Sequence, residues 1–287
     1  MSQTRIHTAP SELQNDIERH FAAGADAKLD PDSIRCFKQL RDALERGEIR
    51  AAEPDGHGGW HTNEWVKRGI LLGFRLGELV DFPGQALSFV DKDTFPARHM
   101  TSADRVRIIT GGSAIRRGAY VAPGVICAPP MYINTGAYVD EGTLVDSHAL
   151  VGSCAQIGKR VHISAAAQIG GVLEPINASP VIIEDDALIG GNCGVYEGTR
   201  VSSRAVLGAG VILTRGTPVY DIVQGEIVRA TPEQPLLIPP NAVVVAGSRA
   251  VTKGKGSEWG LSIYTPVIIK YRDEKTDTAV SLEEVLR

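Results

Sequence analysis

The sequence has few aromatic residues, few cysteines and no long hydrophobic stretch. Aromatic residues make up 6% of its 287 positions, so a core of large rings is not expected. No apolar stretch approaches the roughly 18 residues that a membrane span requires. The amino-terminal segment MSQTRIHTAP lacks the apolar centre of a signal peptide. We therefore expect a cytoplasmic chain that does not contact a membrane.

Neither the cysteines nor the net charge point to a metal site or a nucleic-acid partner. Cys36, Cys127, Cys154 and Cys193 are scattered without a CxxC pair, which predicts reduced thiols rather than a zinc knuckle or a disulfide framework. His148 and His162 fall at different phases of the repeat described next, so no metal site is expected. A net charge of -4 gives no general attraction to nucleic acid.

Aliphatic residues recur at every sixth position through the middle of the chain. One run extends from Ile115 to Ile169 and a second from Ile183 to Val219, and most units carry a small residue four positions after the aliphatic one. A hexapeptide period is typical of a parallel β-helix, in which the aliphatic residues point inward and the small residues allow tight corners. We predict a mainly β fold, a left-handed parallel β-helix with about 18 residues per coil.

The repeat also divides the chain. We predict a mostly helical N-terminal domain over residues 1–105, a solenoid over 106–235 and a small β-rich segment over 236–287. The hexad phase breaks between Ile169 and Ile183, whose separation exceeds two hexads by two residues, so a bulge or loop is expected near 170–182. Insertions in solenoids often collect on the binding face.

Capping signals and periodicity predict elements in the two flanks. Helices are expected over 11–24, over 31–46 with Asp30 as N-cap, and after a second N-cap at Asn63. A hairpin is expected around the glycine-rich turn of EIRAAEPDGHGGWHT. Near the C-terminus, AVVVAGSRAV and LSIYTPVIIKY are predicted strands, TKGKGSEWG is the loop between them, and SLEEVLR is a short helix.

From Met131 onward the residues are more specific than the repeat alone. The segment MYINTGAYVDEGTLVDSHALVGSCAQIGKRVHIS, continuing to IGGVLEP and through IIEDDALIG and YEGTRV, closely resembles the signature of tetrahydrodipicolinate N-succinyltransferases. The resemblance implies succinyl transfer from succinyl-CoA to the ring-opened amino-keto dicarboxylate, in lysine and diaminopimelate biosynthesis. It also implies a homotrimer with active sites between neighbouring β-helices, and no permanently bound cofactor or metal.

Acylation of an amine by a thioester needs an unprotonated amine and stabilisation of the developing oxyanion. Asp146, in LVDSHA, matches an acidic residue of the family's substrate site, and we expect it to bind the acceptor and assist its deprotonation. Arg107 resembles a family arginine that contacts the substrate, and a guanidinium suits a dicarboxylate. Arg105 and Arg117 are the alternatives to Arg107.

At one position the sequence departs from the family pattern. Gly194 stands where many members carry a second acid. Glu197 is our candidate for a compensating catalytic acid and Glu141 for a substrate-binding acid, although acids at solenoid corners are common on solvated faces.

By analogy, CoA is expected along the C-terminal coils, where Lys253 and Lys255 are candidates to bind its phosphates. Two other functions stay open on the sequence: an N-acetyltransferase for the same or a related acceptor, and a catalytically altered scaffold protein. A nucleotidyltransferase is disfavoured because the chain lacks a glycine-rich nucleotide-binding N-terminal domain.

Overall fold

In the computed structural model, which describes residues 10–83 and 88–273, the N-terminal part packs three helices with two short hairpins. The helices are α1 (Pro10–Ala22), α2 (Pro31–Glu45) and α3 (Glu64–Leu76), and 3-10 turns cover Gly24–Leu29 and Ser102–Asp104. One hairpin pairs β1 (Ala52–Pro54) with β2 (Trp60–Thr62), and the other pairs β3 (Leu79–Pro83) with β4 (Ser88–Lys92). The second hairpin was not predicted.

The apolar faces of the three helices meet in a core of their own, which includes Ile17, Phe37 and Ile70. The predicted N-cap of α2 is confirmed, because the Asp30 carboxylate accepts a hydrogen bond from the Asp32 backbone N–H at 2.9 Å. The predicted N-cap of α3 is wrong, because the Asn63 side chain makes no capping hydrogen bond to the helix. Asn63 precedes the helix, but its side-chain amide donates to the Arg50 carbonyl at 2.9 Å and so holds the first hairpin instead.

The middle of the chain forms seventeen two-residue strands, most of them six residues apart. They are β5 (Arg107–Ile108), β6 (Ala114–Ile115), β7 (Tyr120–Val121), β8 (Ile126–Cys127), β9 (Tyr132–Ile133), β10 (Tyr138–Val139), β11 (Leu144–Val145), β12 (Leu150–Val151), β13 (Gln156–Ile157), β14 (His162–Ile163), β15 (Gln168–Ile169), β16 (Ile182–Ile183), β17 (Leu188–Ile189), β18 (Gly194–Val195), β19 (Arg200–Val201), β20 (Val206–Leu207) and β21 (Ile212–Leu213).

Each strand pairs in parallel with the strand one coil away. Tyr138 pairs with Gln156 and Leu144 with His162, which gives the predicted spacing of 18 residues per coil. Three sheets result, which we call face A (β7, β10, β13, β16 and β19), face B (β5, β8, β11, β14, β17 and β20) and face C (β6, β9, β12, β15, β18 and β21). The chain runs A to B to C and back to A, so its corners form an AB edge, a BC edge and a CA edge. This arrangement confirms the predicted parallel β-helix.

The solenoid interior is the aliphatic stack that the period predicts. Every hexad residue from Ile115 to Leu213 is buried, and so are the small residues at the corners, such as Ala137 and Thr143. Full burial of a valine or isoleucine stabilises a fold by about 1.5–3 kcal/mol. A thin core without large rings is therefore sufficient to stabilise the solenoid, because the same aliphatic contact repeats in every coil.

Residues 170–181 form a loop at the CA edge, which we call the inserted loop. Gln156 pairs with Ile182, so this coil is eight residues longer than an 18-residue coil, and not two as counted from the hexad phase. The reason is that no strand forms between Ile169 and Ile182. Lys67 of α3 is buried and donates to the Ala178 carbonyl, which ties the inserted loop to the helical part.

The C-terminal part adds strands to the solenoid. They are β22 (Val219–Asp221), β23 (Glu226–Val228), β24 (Leu237–Ile238), β25 (Ala242–Ala250) and β26 (Ser262–Tyr271). β24 extends face A and β25 extends face B, so coil stacking continues past residue 235, where the sequence placed the end of the solenoid. Val219 is buried as predicted, but β22 pairs with β23 and β26 rather than with a coil.

β25 and β26 form a long antiparallel hairpin that also covers part of face C. The Tyr264 hydroxyl accepts from the backbone N–H of Ile212 at 2.6 Å and lies 3.2 Å from its carbonyl oxygen, at the last strand of that face. The segment predicted as a loop between the two strands contains a short helix, α4 (Gly254–Glu258). The predicted helix SLEEVLR lies outside the described residues.

All four cysteines are buried and none is in a disulfide. Burial raises the pKa of both Cys127 and Cys154 to about 12, so these thiols are poor nucleophiles. Within the described ranges, no helix has both the length and the apolar character needed to cross a membrane.

Candidate active site

The structure places the three candidate acids on three different edges of the solenoid. Glu141 lies at the AB edge between β10 and β11, Asp146 at the BC edge between β11 and β12, and Glu197 at the CA edge between β18 and β19. Each follows the inward residue of a different strand, so the triangular cross-section directs them apart. One protomer therefore does not bring two of these carboxylates together.

Asp146 directs its carboxylate out of the solenoid because the preceding residue, Val145, fills the core. One carboxylate oxygen accepts a hydrogen bond from the Ser147 backbone N–H at 2.7 Å. The other lies 4.0 Å from Nε2 of His162, and the carboxylate side chain is 34% exposed. The carboxylate is held in place at the corner and still accessible to a substrate.

His162, which the sequence raised only as a metal ligand, lies beside Asp146. It lies in β14 on face B, paired with Leu144, which brings its ring beside Asp146. The signal that could have found it is the coil length, because residues 18 apart become neighbours. Both ring nitrogens of His162 are buried, so the imidazole borders the Asp146 corner, and the carboxylate is the group that can hold an ammonium ion there.

Arg107 lies on face B, the face that ends at the BC edge where Asp146 lies. It begins β5, which pairs with β8, and β8 pairs with β11. Two strand spacings separate β5 from β11, about 10 Å, a distance that an extended arginine and a substrate can bridge together. Its alternative Arg117 is engaged elsewhere, since its guanidinium pairs with Glu45 at 2.6 Å and Asp42 at 2.7 Å. Arg105 is exposed just before β5.

The other two candidate acids have different surroundings. Glu141 is exposed and forms an ion pair with Lys159 at 2.9 Å, and this hydrogen bond holds the pKa of Glu141 below its ordinary value. An acid stabilised as a carboxylate in this way is a weak base. Glu197 has a left-handed backbone, with φ of 55°, and accepts a hydrogen bond from the Arg215 backbone N–H at 2.9 Å.

Glu197 borders a cavity of about 790 Å³ between the inserted loop and the segments around Arg215 and Pro232. The cavity wall carries more acids, Glu174 and Glu233, than bases. Glu197 thus lies beside the inserted loop and not beside Asp146.

Gly194 is buried at the outward position of β18, under the ring of Tyr196. A Cβ atom added at Gly194 would lie 2.4 Å from Cε2 of that ring, and one added at Gly170 would lie 2.8 Å from Cδ1. The ring therefore fills the space that a longer side chain at position 194 would need. In this chain the glycine at position 194 leaves the room that the Tyr196 ring occupies.

Lys253 and Lys255 lie at the tip of the β25–β26 hairpin, and both are exposed. Lys255 forms an ion pair with Glu258 at 2.7 Å, and Lys253 immediately precedes α4. On face B, the part of β25 that pairs with the coil, at Val243 and Val244, is four strands or about 19 Å from β11, and the two lysines lie further along the hairpin. The structure does not bring the two lysines to Asp146, and only a long donor molecule could contact both.

Among the residues that the structure describes, no group of three or more histidine, cysteine, aspartate or glutamate side chains is arranged to hold a metal ion. His148 lies at the BC edge with φ of 61°, whereas His162 lies within β14.

The comparisons with known proteins agree along the length of the chain. Residues 12–76 match the family model of the tetrahydrodipicolinate N-succinyltransferase N-terminal region, and residues 180–215 match that of the hexapeptide repeat of succinyl-transferase. The 2,3,4,5-tetrahydropyridine-2,6-dicarboxylate N-succinyltransferases of Brucella ovis, Brucella canis and Brucella suis are each 44% identical over 285 residues. Each alignment covers 96% of this chain and 97% of the relative.

A solved structure from Campylobacter jejuni is a more distant match. It is 16% identical, with a TM-score of 0.46, and the match covers 83% of this chain and 62% of that one. This likeness is too remote to assign any residue.

Proposed function

This chain belongs to the tetrahydrodipicolinate N-succinyltransferase family, and from that membership we propose that it transfers the succinyl group of succinyl-CoA to the amine of ring-opened tetrahydrodipicolinate. In this reaction the amine nitrogen attacks the thioester carbonyl, an amide C–N bond forms, and the C–S bond breaks to release the CoA thiol. The amine must lose a proton, and the departing thiolate takes one up. The reaction is a step in lysine and diaminopimelate biosynthesis.

The observation that carries this proposal is the position of Asp146 beside His162. The acceptor amine is mostly protonated near neutral pH, and the accessible carboxylate can hold it as an ammonium ion at the corner. The imidazole of His162 lies 4.0 Å from the carboxylate, but both of its ring nitrogens are buried, so the partly exposed Asp146 carboxylate is the group that can meet the amine. A positioned base of this kind contributes about 10²–10⁴-fold to a rate.

Arg107 is proposed to bind a carboxylate of the acceptor from the same face. A guanidinium and a carboxylate can form two parallel hydrogen bonds, which set the orientation of the acceptor as well as its affinity. With the amine at Asp146 and a carboxylate toward Arg107, the acceptor would lie along face B.

Succinyl-CoA is proposed to lie along the C-terminal coils, with its phosphates toward Lys253 and Lys255. The separation between these lysines and Asp146 suits an extended donor whose thioester reaches the corner while its nucleotide stays at the hairpin. Because the other two candidate acids, Glu141 and Glu197, lie on other edges of the solenoid than Asp146, we propose a homotrimer in which a neighbour completes the site. Buried, unpaired thiols support a cytoplasmic location.

The test is CoA-thiol release from succinyl-CoA and from acetyl-CoA, each with and without tetrahydrodipicolinate. We expect release of the CoA thiol to depend on the acceptor and to be faster with succinyl-CoA than with acetyl-CoA. The alternative activity is N-acetyl transfer to the same or a related acceptor. Faster release with acetyl-CoA would establish that alternative, and no acceptor-dependent release with either donor would leave the chain a scaffold.

A further inference from the structure

Arg50 is a half-buried arginine far from the Asp146 corner, and the structure holds its guanidinium rigidly. The guanidinium carbon lies 3.6 Å from the centre of the Tyr138 ring and 5.5 Å from that of Trp60. Its Nε donates to the side-chain oxygen of Gln156 at 2.9 Å. Gln156 is fully buried and is itself fixed by a 2.9 Å hydrogen bond to the Cys154 carbonyl.

The two terminal nitrogens of Arg50 remain available. Within residues 10–83 and 88–273, they make no hydrogen bond to the protein, and no carboxylate lies within 4.0 Å of the guanidinium. Burial lowers the pKa of Arg50, as is expected for a partly desolvated cation. Such an arginine is costly unless something neutralises it.

The two terminal nitrogens of Arg50, which we call the fork, border a groove of about 540 Å³ between the glycine-rich turn of the first hairpin and the AB edge. The other cations that line the groove already have acidic partners. Arg200 pairs with Glu184, and Lys159 pairs with Glu141. Of the described cations that line the groove, Arg50 is thus the one without a carboxylate in contact.

Two carboxylates in the same groove also lack an ion pair within the described residues. Asp140 accepts a hydrogen bond from the Glu141 backbone N–H, and Asp185 accepts one from the Lys159 backbone N–H, each at 2.8 Å. Both act on Arg50 electrostatically from beyond contact distance. The groove therefore presents one fixed positive fork and two negative groups set back from it.

We propose that this groove binds a small zwitterion, a free α-amino acid, at a site separate from the Asp146 corner. Its carboxylate would take the two terminal N–H groups of Arg50, a bidentate geometry that guanidinium favours. Its ammonium would lie toward Asp140 and Asp185, and its side chain along Trp60. A purely anionic ligand such as phosphate is disfavoured, because the two aspartates would repel it.

Binding is measured on the intact protein without acyl-CoA or acceptor, so its result is independent of the proposed transferase activity. Thermal-shift assays with each standard amino acid at millimolar concentration select a probe, and isothermal titration calorimetry then measures its affinity. Acetate, methylammonium and inorganic phosphate are the comparison probes, since each carries only one kind of charge. The proposal expects at least one amino acid to bind more tightly than all three.

Variants assign the site. Arg50→Met should weaken amino-acid binding by about tenfold or more, the loss expected for charge-assisted hydrogen bonds. Arg50→Lys keeps the positive charge but removes the pair of parallel N–H donors, and it should also weaken amino-acid binding. Asp185→Asn retains the oxygen that accepts from Lys159 but removes the charge, and should reduce the preference for amino acids over acetate. Arg35→Met, which removes an exposed arginine of α2, is the matched control and should bind as wild type.

Three results would overturn the proposal. The first is that no amino acid binds the wild-type protein at about 10 mM, a weak-affinity limit. The second is equal binding of acetate or phosphate, which would remove the role of the aspartates. The third is unchanged amino-acid affinity in Arg50→Lys and Asp185→Asn proteins that melt as wild type. A change of oligomeric mass in Arg50→Met without amino-acid binding to wild type would assign the fork to a neighbouring subunit instead.

Discussion

At the scale of single residues, Asp146 gives the sharpest prediction. Asp146→Asn keeps the shape of the side chain and removes its charge, so turnover should fall by at least about a hundredfold, the loss typical of a general base. The melting temperature should stay near that of the wild type, because the carboxylate is partly exposed and no core packing is lost. The measurements are CoA-thiol release and thermal unfolding of the same preparation.

A charge-matched control for Asp146 is available on another edge. Asp186→Asn removes an acid that pairs with Arg160 at the AB edge, and its turnover should remain close to wild type. If Asp146→Asn turns over within a factor of about three of wild type, well short of a general-base effect, Asp146 is only a corner residue. Glu141→Gln and Glu197→Gln would then show which of the other acids acts on the amine.

How far single residues could be predicted depends on whether their position follows from the repeat. The outward direction of Asp146 follows from the inward direction of Val145, which the hexad period indicates. The Tyr196 ring over Gly194 could not be predicted, because its position depends on where the inserted loop leaves Gly170. Likewise, Asn63 has the right type for a helix cap, but its amide is used by a backbone group 13 residues earlier.

At the scale of elements, the two-residue strands of the solenoid predict opposite outcomes for adjacent substitutions. Val151→Lys places an ammonium group at a fully buried position of β12 and should destabilise the fold by more than about 4 kcal/mol, or prevent folding. Leu150→Lys, one residue earlier and pointing outward, should cost about 1 kcal/mol or less. Thermal unfolding of the two variants tests the inward assignment, and a wild-type melt for Val151→Lys would contradict it.

A second element-scale prediction concerns the junction of β22 and β26. The buried Asp221 carboxylate accepts from the Tyr271 hydroxyl at 2.6 Å and from the backbone N–H groups of Val223 and Gln224. Burial opposes the ionisation of Asp221, but these hydrogen bonds bring its pKa below the ordinary value. Burial and the same contact raise the pKa of Tyr271 to about 12. Tyr271→Phe should therefore lower the free energy of unfolding by about 1–3 kcal/mol near neutral pH.

The pH dependence of that loss has a defined sign. The lowered pKa of Asp221 means that its contribution is present above the ordinary value of 3.8 and is lost as the pH falls through the lowered value. The raised pKa of Tyr271 means that its contribution is full below pH 10.0 and is lost as the pH rises toward about 12. The difference between wild type and Tyr271→Phe in urea unfolding should be flat between about pH 5 and pH 9 and shrink on both sides. A difference that does not change with pH would show that the hydroxyl contributes packing alone.

Elements were predictable where local periodicity determines them. The coil length, the inward stack and the three N-terminal helices follow from spacing and capping residues. The eight-residue excess of the inserted loop and the pairing of β22 with β26 did not follow, because both depend on contacts with distant segments. Lys67, for example, holds Ala178 of the inserted loop from 111 residues away.

At the scale of the whole molecule, the three candidate acids on three edges predict a shared site. A homotrimer should give three times the chain mass of 30.7 kDa in light scattering at micromolar concentration. A monomer mass at that concentration would exclude a site built between subunits. The prediction therefore concerns chemistry as well as assembly, because a single solenoid places Glu141 and Glu197 on other edges than Asp146.

Mixed trimers test the same arrangement directly. Co-expression of Asp146→Asn chains with Glu197→Gln chains should partly restore activity if the two residues act from different subunits, because some interfaces then carry both wild-type residues. Each variant expressed alone should stay impaired. No recovery in mixed trimers of confirmed composition, with both variants inactive alone, would show that Asp146 and Glu197 do not act together across a subunit interface.

The Tyr264 hydroxyl at β21 has a consequence for behaviour at high concentration. A solenoid built from stacked strands ends in unpaired backbone groups, and such an edge can recruit the edge of another molecule. Here one phenol occupies the backbone amide and carbonyl of Ile212, and the hairpin that carries it lies across the last coil. We expect that removing this hydroxyl would open the backbone edge of β21 to pairing with another molecule, so the C-terminal hairpin is predicted to oppose end-to-end association.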